Sequence, residues 1–95
     1  MTALKRFIRD AVIEILRENG VKRAAFFGSI AQGEMDEESD IDILIEFEGR
    51  NSLLDFAHLK TELEDATNRR VDVLTYKSVH PRLRDRILAE QIPIL

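Results

Sequence analysis

The chain has 95 residues, 44% of them hydrophobic, no cysteine and a formal net charge of -4. That length supports one domain with a modest core. The missing cysteines exclude a disulfide framework, a thiol nucleophile and a zinc–thiolate site, and they suit a reducing cytoplasm. An acidic balance, with a pI near 5.2, argues against a nucleic acid held by phosphate neutralisation, and no apolar run approaches the ~20 residues of a membrane span.

Leu4, Phe7, Ile8, Ala11, Val12, Ile15 and Leu16 trace the apolar stripe of a first helix. Thr2 is placed to cap it and Gly20 to end it. Lys5, Arg6, Arg9, Asp10 and Glu14 interrupt every apolar stretch there, so no secretory leader is expected. Ala24-Ala25-Phe26-Phe27 reads as a short buried strand running into Gly28, and a helical turn follows from Ser29. Next come an acidic loop, Glu34 to Glu38, an alternating strand, Asp40 to Phe47, and a turn at Gly49-Arg50-Asn51. Ser52 with Asp55 forms a capping box for a helix through about Ala66. Val71 to Thr75 is a third strand, and Pro81 suits the first turn of a last helix through about Glu90. Ile92-Pro93-Ile94-Leu95 reads as an exposed apolar tail, a candidate contact for a partner.

This order predicts an α/β (α+β) fold over residues 1–95 as a single domain. Its small sheet, mixed or antiparallel, would have three or four strands with helices packed on it. The short link between the first two strands favours an antiparallel pair, because a parallel crossover needs about a dozen residues or more. The pattern leaves the other strand directions open.

Residues i and i+2 of a strand point the same way, so Asp40, Asp42 and Leu44 share one face and Ile41, Ile43, Ile45 and Phe47 the other. With Cα atoms about 6.5–7 Å apart, the two carboxylates can converge on one Mg²⁺ or bridge two ions about 3.5–4 Å apart. Asp72 lies between Val71 and Val73 and is the natural third ligand; the plain alternative is an edge strand with a wet face. Gly28-Ser29 leaves a strand and opens a helical turn, where unpaired N–H groups attract a phosphate. Taken alone, that dipeptide makes a tight turn and a cap. With 18 acidic residues in 95, an Asp-x-Asp pair also arises by chance. Three acids placed with Gly28-Ser29 are a different matter.

Competing motifs fail. Gly33 is followed by Glu34 and Met35 rather than the Lys-Ser/Thr of a P-loop. An EF-hand from Asp36 would place Ile41 and Phe47 where glycine and an acid belong. His58 and His80 have no serine, cysteine or second histidine at triad or zinc spacing; a helix surface and the neighbourhood of a helix cap are their expected places. Arg82, Arg84 and Arg86 form a basic cluster, either a solvated face or a contact to phosphate or an acidic partner.

Gly28-Ser29, then Ser39-Asp40-x-Asp42 and the later Asp72, resembles the DNA polymerase β-type nucleotidyltransferase superfamily. The small size resembles its minimal branch, the MNT-domain antitoxins paired with HEPN toxins. Ser52-Leu53-Leu54-Asp55, Arg70-Val71-Asp72-Val73-Leu74, and His80-Pro81-Arg82-Leu83-Arg84 with the Ile-Pro tail are similar to that branch as well. The resemblance implies Mg²⁺-dependent transfer of AMP from ATP to a hydroxyl, a tyrosine of a partner HEPN toxin, which it silences. Gly28 and Ser29 would hold the triphosphate, Asp40 and Asp42 would bind Mg²⁺, and Asp72 would complete the metal site and help activate the hydroxyl. No membrane and no stable nucleic-acid partner are expected, since so short a chain lacks the domains that polymerases use to hold nucleic acid. Gln32 stands where the family usually has arginine, which removes a charge near the phosphates. The alternative is a catalytically weak antitoxin that neutralises its partner by forming a complex.

Overall fold

The computed structural model describes residues 3–33 and 39–95. The Thr2 cap, the Leu4 side chain and the acidic loop from Glu34 to Glu38 lie outside the described residues. α1 (Ala3–Glu18) is amphipathic because Ile8, Val12, Ile15 and Leu16 recur at helical spacing, and all four are buried. Phe7 leaves the expected stripe and is 64% exposed; it sits about 100° of helix rotation round from Ile8.

β1 (Val21–Phe27) begins ahead of its apolar run, with Lys22 and Arg23 exposed where the register to the next strand shifts. A helical turn, α2 (Ser29–Gln32), leads to β2 (Ile41–Phe47), with Asp40 just ahead of the strand. α3 (Leu53–Thr67) starts on the expected capping box: Ser52 N–H donates to the Asp55 carboxylate at 2.9 Å, and Asp55 N–H donates to the Ser52 hydroxyl at 3.3 Å. β3 (Val71–Thr75) follows, then α4 (Pro81–Glu90), which has His80 as its N-cap, and finally β4 (Ile92–Pro93).

The strands form one mixed sheet in the order β3-β2-β1-β4. β1 and β2 pair antiparallel, as expected from the link between them, whereas β2 and β3 pair parallel across the α3 crossover. The expected exposed tail is instead the fourth strand. Ile92 and Pro93 pair with Phe26 and Ala25, the N–H groups of Ile94 and Leu95 both donate to the Ala24 carbonyl at 2.9 and 3.1 Å, and the Ile94 side chain enters the core. The free edge of β1 offers backbone partners that an isolated apolar tetrapeptide lacks.

One sheet face packs Phe26, Ile43, Ile45 and Val73 against Val12 and Leu16 of α1 and Leu59 and Leu63 of α3. Each such side chain contributes about 1.5–3 kcal/mol by leaving water. The opposite face carries Leu44 and Leu74, packed with Tyr76 and Val79 and covered by Ile87 and Leu88 of α4. Asp42 and Asp72 precede Leu44 and Leu74 by one pleat, so the acids lie on the face that α4 covers.

Candidate active site

The parallel ladder places Asp42 directly opposite Asp72. Their neighbours lock that register: Ile41 pairs with Val71 and Ile43 with Val73 on the buried face. A slip of one residue would turn a carboxylate into the core. Burial pushes the Asp42 carboxyl up to about 6, with help from the negative charges of Asp72 and Asp40 and a hydrogen bond with the Asp72 side chain. Asp40 lies one residue ahead of β2, and its charge is felt at Asp42; the ladder itself brings only Asp42 and Asp72 side by side. Two contacts that the sequence pattern did not announce steady the surroundings. Arg69 Nη1 donates to the Ser39 carbonyl at 3.0 Å, beside Asp40, and Glu64 accepts from Val71 N–H at 3.0 Å at the start of β3.

Phe27 pairs with Asp42 across the antiparallel ladder, so the turn at Gly28 begins beside that carboxylate. Gly28 has φ 70° and ψ -149°, a conformation essentially restricted to glycine. A Cβ there would collide with Asp42 Oδ2. Ala31 and Gln32 donate back to the Gly28 carbonyl at 3.1 and 3.2 Å, which leaves the first N–H groups of the turn, at Ser29 and Ile30, as the ones a short helix cannot use. Ser29 is the first helical residue and not the cap; Gly28 holds that place, with no side-chain cap bond. Gly33 closes the turn in the left-handed region.

A cleft of about 310 Å³ opens beside this turn, lined by Gly28, Ser29 and Gln32 on one side and by Leu83, Arg86, Ile87 and Glu90 on the other. The latter four form one face of α4. Gln32 Nε2 donates to Glu90 Oε2 at 3.0 Å, and Arg86 Nε donates to Glu90 Oε1 at 3.5 Å. Of the three arginines in the basic cluster, Arg86 alone lines the cleft. The i,i+4 spacing of Arg86 and Glu90 was a signal for their pairing, but no local signal said which sheet face α4 would cover. The histidines stay outside: His58 pairs with Glu62 at 3.4 Å on the exposed side of α3, and His80 Nδ1 accepts from Arg82 N–H at 3.1 Å.

The donor set suits a divalent cation. It offers hard carboxylate oxygens whose mutual repulsion already favours a positive charge at Asp42, beside a backbone turn that can approach only because residue 28 lacks a Cβ. Among the described residues, no three acids or histidines are gathered tightly enough to hold an ion alone. Mg²⁺ typically binds through one or two carboxylates completed by substrate phosphates and water.

Residues 10–95 match the family described as Polymerase beta, Nucleotidyltransferase. The chain is 54% identical over 88 residues to a Methanocaldococcus jannaschii protein named "Putative protein adenylyltransferase MJ0435", covering 93% of this chain and 95% of that one. A solved structure described as "putative minimal nucleotidyltransferase" superposes with a TM-score of 0.80 at 43% identity, over 93% of this chain and 90% of the other. A toxin–antitoxin crystal structure with AMP-PNP shares the fold, with a TM-score of 0.79 at 24% identity, over 92% of this chain and 72% of that chain. Among the described residues, no helix is long and apolar enough to cross a membrane.

Proposed function

This chain belongs to the polymerase beta nucleotidyltransferase family, and on that premise we propose that it is an antitoxin that transfers AMP from ATP to a hydroxyl of a partner toxin. The observation that carries the reading is the Asp42–Asp72 pair with the Gly28 turn closed onto the same carboxylate. The relative named as a protein adenylyltransferase supports AMP as the transferred group. The toxin–antitoxin assembly with AMP-PNP supports both the nucleotide and the kind of partner. The family resemblance supports a tyrosine of a HEPN-type toxin as the acceptor, residues 1–95 as one catalytic domain, and a cytoplasmic setting.

In this reading Asp40, Asp42 and Asp72 would hold Mg²⁺ together with the substrate phosphates, and the ion would supply charge neutralisation for the triphosphate. Backbone N–H groups at Ser29 and Ile30, with the Ser29 hydroxyl, hold the β and γ phosphates. Pinning the polyphosphate in the cleft sets the α-phosphorus in line with the acceptor oxygen. That oxygen bonds to the α-phosphorus while the bond to the bridging oxygen of the β-phosphate breaks, and pyrophosphate leaves. Asp72, half-exposed at the mouth of the pair, accepts the hydroxyl proton.

Incubation of the chain with labelled ATP, Mg²⁺ and the product of the neighbouring gene tests the reading. Label should pass to that protein and remain after denaturation. A tight complex without label would instead assign neutralisation by binding. ATP affinity should collapse in excess EDTA, because a bare triphosphate meets the carboxylates unscreened; undiminished binding there would remove the metal from the site.

A further inference from the structure

Among the described residues, Arg86 is the one cation that lines the cleft beside Gly28 and Ser29. Gln32, on the opposite wall, is neutral, and its amide is committed to Glu90. A polyphosphate entering this space meets the acids Asp42 and Glu90 nearby, so the cleft needs a positive group of its own. Arg86 is held only loosely. Its Nε contacts Glu90 Oε1 at 3.5 Å, and its side chain is 73% exposed. Such surface pairs are weak and are given up easily. The contact also uses Nε alone, leaving both Nη groups of the fork outside it.

We infer that Arg86 is the phosphate-binding cation of this site: it reaches across the cleft to the terminal phosphates of a nucleoside triphosphate, with Glu90 as its resting partner. Glu90 is suited to that part because each of its oxygens has a different donor, Arg86 at one and Gln32 at the other. Gln32 steadies the carboxylate, and the carboxylate parks the guanidinium at the rim. α4 is a firm base for this arm, since Ile87 and Leu88 are packed against the sheet between the two residues. The inference rests on the reading of the cleft as a triphosphate site.

Titration of the full chain with Mg-ATP and with AMP, by calorimetry, is the test. Arg86→Ala should weaken Mg-ATP binding about ten- to hundredfold, the range of a charge-assisted contact, and change AMP affinity by no more than about twofold. Its thermal midpoint should match that of the unaltered chain, because only an exposed pair is lost. Arg86→Lys should recover part of the affinity, restoring the charge without the fork. Arg84→Ala, on the same helix but outside the cleft, should bind as the unaltered chain does. If the unaltered chain does not bind Mg-ATP, the nucleotide reading falls and takes this inference with it. If it binds and Arg86→Ala binds as tightly, or loses AMP and ATP equally, the role of Arg86 alone is overturned.

Discussion

Asp42 and Asp72 stand level on two parallel strands, and burial, with the charge of Asp72 beside it, pushes the Asp42 carboxyl up to about 6. The sheet thus holds two acids together in a way that disfavours ionising both, a penalty that a cation relieves.

The first prediction concerns pH. Because the folded chain raises the Asp42 pKa from 3.8 to about 6, folding takes up a proton between those values. Metal-free stability from this group should be fully present below about pH 4, decline as pH rises through about 6, and be absent above that. Thermal melts across this range should flatten in Asp42→Asn, whose midpoint well above pH 6 should equal or exceed that of the unaltered chain. Mg²⁺ should stabilise the chain at high pH and have little effect at low pH, since proton and metal compete for the same oxygens. Asp42→Asn should transfer no AMP. Near-normal transfer by the double Asp40→Asn, Asp42→Asn variant would sink the enzyme assignment.

Glycine at 28 and glycine at 33 should behave differently. Alanine at 28 meets a backbone region costing roughly 1–3 kcal/mol and also strikes the Asp42 carboxylate, so Mg-ATP binding should be lost along with stability. At Gly33 a Cβ has nothing within 4 Å and φ is 74° in the left-handed region, so alanine should cost about 1–2 kcal/mol and leave nucleotide affinity intact. Equal nucleotide affinity in both variants would show that Gly28 is only a turn.

Gln32→Arg places a second positive charge on the cleft wall. Single-turnover transfer at saturating Mg-ATP should rise about tenfold, equivalent to ~1.4 kcal/mol in the barrier. A fall would mean that the new guanidinium pairs with Glu90 in a charge-assisted contact, roughly twice as strong as the present amide bond, and stays there. No change would place residue 32 off the phosphates.

The C-terminal strand makes a prediction about stability. Ile94 is buried, and its backbone is paired to Ala24. Ile94→Ala should therefore destabilise the isolated chain by about 2–4 kcal/mol, within the range for a buried aliphatic side chain. Chemical denaturation reads this directly. An unchanged midpoint would return the tail to the role of a partner contact.

Local pattern was enough for much of this molecule. The alternation of Ile41, Ile43 and Ile45 with Asp42 placed an acid on a strand with an apolar reverse side. The Ser52–Asp55 box marked a helix start, and Gly28-Ser29 marked a turn that could approach a phosphate. Each of these signals spans only a few residues, because helix and strand periods and caps are properties of neighbouring residues. The opposition of Asp42 and Asp72, the pairing of the tail with β1 and the arrival of α4 over the acid face were decided by packing. An apolar stripe states that a face must be covered without saying which element covers it, as the exposure of Phe7 and the burial of Ile94 both show. The bond between Gln32 and Glu90 joins residues 58 apart in the chain, and no spacing rule reaches so far. It exists because Leu44, Leu74, Ile87 and Leu88 leave water together, and their burial sets α4 where its charges line the cleft.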